Sequence, residues 1–193
     1  ILVLLGWNDG SDQEIFSMDE LINLFSMDRV TASGAKFNFE KAKWFNKTYI
    51  QQLSISTLQN LLVDYHEGPR GVVFDQVCVL MKERMTFLTE WNDKTHFFYV
   101  PPPATSIVKQ HEAFIEKKFK SLWEDDCLAM IKQVISELKC LNNFSQEAIS
   151  NLLEQVNEAI SRMVLPYFRL AITGMTGGPD LIRIMQIIGK DQS

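Results

Sequence analysis

Few side chains in this sequence have the types and spacing from which catalytic or metal sites are built. His111-Glu112 begins the zinc-binding pattern H-E-x-x-H, but Ile115 stands where the second histidine is required. The acidic run 124–126 falls near the first turn of a predicted helix, where carboxylates complement the helix dipole. His66 and His96 are isolated in sequence, as core-edge or exposed histidines are. These residues predict no catalytic residue and no metal site.

The sequence also lacks paired cysteines and the motifs of nucleotide-binding loops and of a nucleophilic serine. Cys78, Cys127 and Cys140 are widely spaced and form no C-x-x-C pair, so we predict buried free thiols rather than a disulfide framework. No G-x-x-x-x-G-K-[ST], G-x-G-x-x-G or G-x-S-x-G motif occurs. The residues alone therefore predict no self-sufficient active site.

Composition and charge narrow the class of protein. The 193 residues are 46% hydrophobic and 22% charged, with a formal charge of −5 and a pI near 5.2. A sequence-blind nucleic-acid binder would be basic overall, which this chain is not. The apolar run 1–5 is far shorter than the roughly 18–20 residues that span a bilayer. We expect a cytoplasmic protein with no membrane contact.

The charge is nevertheless unevenly distributed. Segment 8–28 has six acidic residues and no basic one, whereas segment 29–47 has five basic residues and only Glu40 as an acid. Segment 161–190 has four basic residues and only Asp180 as an acid. Two basic islands therefore lie in an acidic chain. The apolar, Met-free beginning at Ile1 further indicates a fragment cut from a longer protein.

Hydrophobic periodicity and capping signals predict helices in the first half of the chain. Ser17 and Glu20 have capping-box spacing for a helix that reaches about Ser26. Asn38 can cap a helix over 39–53, and Ser54 or Ser56 a third. A longer helix is predicted over 74–91, followed by a stiff spacer at Pro101–Pro103.

The second half continues the helical pattern. Helices are predicted at about 106–119, 121–141 and 145–165, with Pro166 kinking or ending the last of them. A final helix has Pro179 at its first position and Gly189 just past its end. No sustained alternation predicts a strand. We therefore predict an all-α, multihelical fold with a boundary at 68/69 and a possible subdivision near 101–120.

Three ordered segments carry a resemblance to a known family. They are L-L-G-W-N at 4–8 with E-I-F at 14–16; S-G-A-K-F-N at 33–38 with Lys41, Trp44, Asn46, Tyr49 and Ile50; and R-L-A-I-T-G at 169–174 with G-P at 178–179 and I-G-K at 188–190. Together they resemble the C-terminal half of bacterial glutamyl-tRNA synthetases. Segment 93–143 resembles the family only in its helical pattern.

The resemblance implies a fold and a function. Residues 1–68 would be the end of the stem-contact region, and 69–193 a helical anticodon-binding domain in two subdomains. The family attaches glutamate to tRNA(Glu) with ATP and Mg²⁺ in an N-terminal Rossmann domain whose motifs are absent here. We therefore expect a fragment that is inactive alone, carries no cofactor, and is a monomer that binds tRNA(Glu) and not DNA.

The resemblance also implies contact residues. Arg169 falls on the family's anticodon-reading arginine, and a guanidinium can pair with a base edge. The other implied anticodon contacts are Gly178, Pro179, Leu181, Ile182 and Arg84. Gly178 often corresponds to a threonine in the family, so a hydroxyl contact is lost there. In addition, the first amides of the helix after Gly178 could meet phosphate oxygens. The basic island suggests contacts with the tRNA backbone by Lys36, Lys41, Lys43 and Lys47. For Trp44, among these lysines, the two alternatives are a core residue and a stacking platform for a base, and we predict a core residue.

Other functions compete with this interpretation. A helical protein–protein interaction module explains the acidic pI but not the order of the motifs. A class I lysyl-tRNA synthetase has a related helical domain, and it is the family most easily confused with this one. A glutaminyl enzyme fits less well because its bacterial anticodon region is a β-barrel, and a stand-alone helical enzyme has no constellation of residues to support it.

Overall fold

The computed structural model describes residues 3–31, 36–119, 125–155 and 158–189. Within these ranges the chain forms ten α-helices joined by short loops and 3₁₀ turns. The one β-type contact there is a single bridge between Trp7 and Val30. This confirms the predicted all-α class. In the described ranges, no helix has both the length and the apolar character needed to cross a membrane.

The first three helices begin where their capping residues predict. Helix α1 (Met18–Leu24) has the Ser17–Glu20 capping box, α2 (Phe39–Gln52) begins after Asn38, and α3 (Ile55–Leu61) begins after Ser54. In each case the cap side chain accepts a hydrogen bond from a first-turn amide, which would otherwise lack a partner. Helix α1 ends two residues earlier than predicted and buries none of its residues.

The predicted helix over 74–91 is wrong. Helix α4 (Val72–Met81) passes into a 3₁₀ turn at Lys82–Arg84, and the backbone is extended at Met85 before α5 (Trp91–Thr95). Glu90 explains the break, because its carboxylate accepts hydrogen bonds from the amides of Thr86 (3.2 Å) and Phe87 (3.3 Å). Met85 and Trp91 are fully buried, so the break seats two large side chains in the core.

Among the described residues, five helices follow in the second half of the chain. They are α6 (Ala104–Phe119), α7 (Asp125–Cys140), α8 (Gln146–Gln155), α9 (Glu158–Thr173) and α10 (Leu181–Ile188). Pro166 lies inside α9, so of the two predicted effects, a kink or the end of the helix, the second is wrong. Pro179 also precedes α10 instead of occupying its first position, because Asp180 is the capping residue. Gly189 follows the helix with φ 87°, as predicted.

Two hydrophobic clusters share α10. Ile184 and Ile187 pack in the first cluster with α4 and α5, whereas Leu181 and Met185 pack in the second with α7 and α8. The first cluster also includes Leu58 and Leu62, so packing runs across position 68/69. The division at 68/69 therefore stays a prediction, and α10 connects the two halves of the core.

Some predictions fall outside the described residues or need correction. The S-G-A segment at 33–35, residues 120–124 and Lys190 lie outside the described ranges, as do the side chains of residues 125–128. Cys78 is buried as predicted, but Cys140 is exposed, so the prediction of a buried thiol is wrong there. Burial raises the pKa of Cys78 to about 12, with a smaller contribution from Asp75.

Candidate nucleic-acid interface

Arg169 is held against the loop that connects α9 to α10. It lies in the last turn of α9, where the Thr173 hydroxyl donates a hydrogen bond to its carbonyl (2.7 Å). The helix then ends at Gly174, whose φ of 69° turns the chain back. Across the loop, Nη1 of Arg169 donates a hydrogen bond to the carbonyl of Pro179 (2.7 Å). The guanidinium is thereby fixed in direction, and its planar fork carries further N–H donors.

The loop leaves little room beside this guanidinium. Gly178 has φ 152°, and a Cβ at this position would lie 3.3 Å from Nη1 of Arg169. Pro179 is buried. Asp180, which sequence reasoning missed as a functional neighbour, caps α10 by accepting a hydrogen bond from the Arg183 amide (2.9 Å). That amide already has a carboxylate partner, which argues against an open phosphate site at the start of α10.

Three charges meet at this loop. Burial lowers the pKa of Arg169 from its ordinary value, Asp180 opposes this effect, and the charge of Arg84 lowers the pKa further. Arg84 is exposed at the end of the 3₁₀ turn after α4, 85 residues earlier in the chain. The fold thus brings Arg169 within electrostatic range of a second guanidinium and of one carboxylate. Such an arrangement attracts an anionic or hydrogen-bond-accepting ligand.

The other predicted contact residues of this loop differ in accessibility. Gly178 is exposed and Ile182 is half-buried. Leu181 is only 5% exposed and packs in the second core cluster. The side chains of Pro179 and Leu181 therefore fix the loop to the core, whereas Gly178 is exposed, Arg169 is half-buried, and Arg84 is exposed on the turn after α4.

The four lysines predicted to contact the tRNA backbone differ in whether an acidic residue neutralises them. Lys41 forms an ion pair with Glu14, and the ammonium of Lys43 lies 2.9 Å from the carboxylate of Glu40. Lys36 is exposed and Lys47 is half-buried, and neither forms an ion pair with another described residue. Lys36 and Lys47 are therefore the two whose charge no described acidic residue compensates locally.

Trp44 lies on the surface of α2 rather than in the core. Its side chain is 45% exposed and meets the buried Phe45 ring edge-on, with 5.0 Å between ring centres. The prediction of a core residue is therefore wrong. Trp44 faces outward because Phe45 and Ile50 occupy the buried face of α2.

Two of the three histidines, His66 and His111, have structural partners. The indole of Trp91 donates a hydrogen bond to Nδ1 of His66 (3.1 Å), and a ring nitrogen of His111 lies 2.8 Å from the Gly174 carbonyl. Within the described ranges, no three histidine, cysteine or acidic side chains come together in a way that could hold a metal ion.

Known proteins resemble this chain over its whole length. It is 33% identical to the glutamate–tRNA ligase of Cytophaga hutchinsonii and 34% identical to that of Flavobacterium johnsoniae, covering all of this chain but 37% and 38% of those proteins. A crystal structure of a glutamate–tRNA ligase from Elizabethkingia meningosepticum superposes with a TM-score of 0.80 at 29% identity. The superposition covers 99% of this chain and 38% of that one.

These comparisons confirm the resemblance to glutamyl-tRNA synthetases that the motifs indicated. They also show that the chain spans little more than a third of the length of these relatives. The family described as "Anticodon binding domain" matches residues 39–193, which include Arg84, Arg169 and the loop at 174–180. The chain therefore belongs to the anticodon binding domain family.

Proposed function

We propose that this chain is the tRNA-binding C-terminal part of a glutamate–tRNA ligase and that Arg169 reads an anticodon base of tRNA(Glu). The observation that carries this proposal is the hydrogen bond from Arg169 to the Pro179 carbonyl, which orients the guanidinium. A base in an unpaired loop exposes its edges, and a planar fork of donors can pair with them.

The neighbouring residues have different parts in this proposal. Arg84 adds a second cation, which contacts an anticodon base or an adjacent phosphate. Gly178 leaves space for the nucleotide because a side chain there would reach the Arg169 guanidinium. Pro179, Leu181 and Ile182 hold the loop in position, since they are buried or half-buried in the structure. Their contribution is to shape the site.

The tRNA backbone would contact the lysines near α2. Lys36 and Lys47 carry charges that no described acid neutralises, so they can meet phosphates directly. Lys41 and Lys43 must first exchange their partners Glu14 and Glu40. We therefore infer that Lys36 and Lys47 supply more of the salt-dependent affinity than the other two.

The residues that catalyse attachment of glutamate to tRNA would lie in the remainder of the parent protein. ATP, Mg²⁺ and glutamate would bind there, and the parent would be a cytoplasmic monomer that binds neither DNA nor membranes. This chain alone should not exchange pyrophosphate into ATP in the presence of glutamate. Exchange above background by the purified chain would contradict that part of the proposal.

The proposal is tested by comparing two RNA ligands. The dissociation constants of the chain for a tRNA(Glu) transcript and for the same transcript with a substituted anticodon are measured by filter binding at two salt concentrations. We expect tighter binding of tRNA(Glu) and a shallow loss of affinity with salt, because an acidic chain with two basic islands makes few phosphate contacts. Equal affinity for the two transcripts would contradict anticodon recognition.

A further inference from the structure

The outer face of α2 combines exposed aromatic rings with lysines. Lys47 lies three residues after Trp44 and four after Lys43, so on a helix it neighbours both. The ammonium of Lys43 lies 5.1 Å from the centre of the Phe39 ring, and Phe39 is 63% exposed. We call the four residues Phe39, Lys43, Trp44 and Lys47 the α2 platform.

The charge around the α2 platform favours a polyanion. Glu40 is the only acid in segment 29–47, and it is paired with Lys43 at 2.9 Å. Lys47 has no acidic partner among the described residues. An exposed ring beside the uncompensated ammonium of Lys47 suits an unpaired nucleotide, whose base stacks on the ring while a phosphate meets the ammonium.

Exposed apolar side chains do not by themselves predict an RNA-binding surface, because a second group of them lies in an acidic segment. Met18, Ile22, Phe25 and Met27 are also exposed. They lie in segment 8–28, which has six acidic residues and no basic one. Phosphates are repelled there, so the combination of rings and positive charge distinguishes the α2 platform as the surface suited to RNA.

The α2 platform is fixed to the segment that carries Arg84. The Asn46 side-chain amide donates a hydrogen bond to the Thr86 carbonyl, and Gln51 donates one to the Glu83 carbonyl (3.0 Å). Both donors lie beside Lys47 on α2, and both acceptors lie within two residues of Arg84. These two hydrogen bonds therefore hold α2 in a fixed position relative to the turn that carries Arg84.

We propose that the α2 platform is a second RNA-binding site, on which an unpaired nucleotide of tRNA stacks against Trp44 while Lys47 and Lys43 contact the adjacent phosphates. This inference rests on the proposed function, since the RNA is the tRNA bound there. It adds a stacking contact remote in sequence from Arg169, and it assigns a role to the exposed indole.

Substitution of Trp44 tests the stacking contact. Trp44→Ala should weaken binding of the tRNA(Glu) transcript roughly 5- to 150-fold, the range expected for loss of one base–aromatic stack. Trp44→Phe should retain most of the affinity, whereas Trp44→Leu should lose it because an aliphatic side chain has no π-face. Tyr65→Ala removes an exposed ring that lies beside Asp64 and Glu67, and it should leave the affinity unchanged.

Fluorescence gives a readout that a merely structural role would not produce. Trp7 and Trp91 are buried and Trp123 lies outside the described residues, so the part of the quenching that Trp44→Phe abolishes is the part assigned to Trp44. We expect the tRNA(Glu) transcript to quench the wild-type emission and a fully paired RNA duplex not to do so. The quenching should disappear in Trp44→Phe while binding persists.

The outcomes separate this inference from the proposed function. If the wild-type chain binds the transcript and Trp44→Leu binds it equally well, the stacking contact is wrong and the proposed function stands. In that case the exposed rings of α2 belong to a protein contact. If the wild-type chain does not bind the transcript at all, both proposals fail.

Discussion

The guanidinium of Arg169 and the carbonyl of Pro179, ten residues apart in sequence, are joined by a hydrogen bond of 2.7 Å. This bond spans the loop between α9 and α10 and gives the side chain a fixed direction. Burial costs the guanidinium solvation, which is why its pKa is lowered. A polar group that is partly desolvated and already oriented loses less freedom when it binds a ligand.

Gly178→Ala should disturb this arrangement. The backbone at φ 152° disfavours any side chain, and the new Cβ would lie 3.3 Å from Nη1 of Arg169. We expect about 1–3 kcal/mol of destabilisation of the loop and weaker binding of tRNA(Glu), measured by thermal unfolding and filter binding. Gly177→Ala is the matched control, because a Cβ there meets nothing within 4 Å. Equal effects of the two substitutions would contradict the close approach.

Lys36→Ala and Lys41→Ala should differ in their effect on salt dependence. An uncompensated lysine that contacts a phosphate contributes about 0.9 to the slope of log affinity against log salt. Lys36→Ala should therefore reduce this slope by about one for both transcripts. Lys41→Ala should reduce it less, because Lys41 is paired with Glu14. Titrations at three salt concentrations measure the slopes. A larger reduction for Lys41→Ala would contradict the assignment.

Glu90 should make folding stability depend on acid pH. Burial raises the pKa of this carboxyl, but hydrogen bonds from Lys94, Phe87 and Thr86 outweigh it and lower the pKa below 4.5. Because the folded-state pKa is depressed, the stabilisation is present above the ordinary pKa and is lost as the pH falls through the folded-state value.

Glu90→Gln is the corresponding substitution. It should lower the free energy of unfolding at pH 7 by about 1–2 kcal/mol and flatten its decline below about pH 4.5. Urea unfolding at pH 7 and pH 4 measures both effects. Glu83→Gln, in the exposed 3₁₀ turn nearby, is the control. An unchanged pH dependence in Glu90→Gln would show that the break after α4 does not depend on this carboxylate.

Local signals predicted the helix starts well, and tertiary packing explains the errors. The Ser17–Glu20 box, Asn38 and Ser54 act through neighbours three residues away, so the sequence reveals them directly. The break at Met85 depends on a carboxylate five residues later and on two buried side chains, which periodicity alone cannot distinguish from a continuous helix.

The candidate site also combines features that the sequence reveals with features that depend on tertiary packing. The motif around Arg169 marked that residue, but its partner carbonyl and the nearby charge of Arg84 arise from the packing of α9 against a loop and a distant turn. Likewise, the sequence shows Trp44 as an aromatic residue among lysines, and only the orientation of α2 on the core shows that it faces outward.

Substitution of Arg169 tests the central claim most directly. The dissociation constants of the wild-type chain, Arg169→Ala and Lys36→Ala are measured for the tRNA(Glu) transcript and for its anticodon-substituted form. A bidentate base contact is generally worth about 1–3 kcal/mol of discrimination, so Arg169→Ala should bring the ratio of the two constants close to one. Lys36→Ala should weaken both without changing their ratio. If Arg169→Ala remains folded by circular dichroism and keeps the wild-type ratio, Arg169 does not read the anticodon.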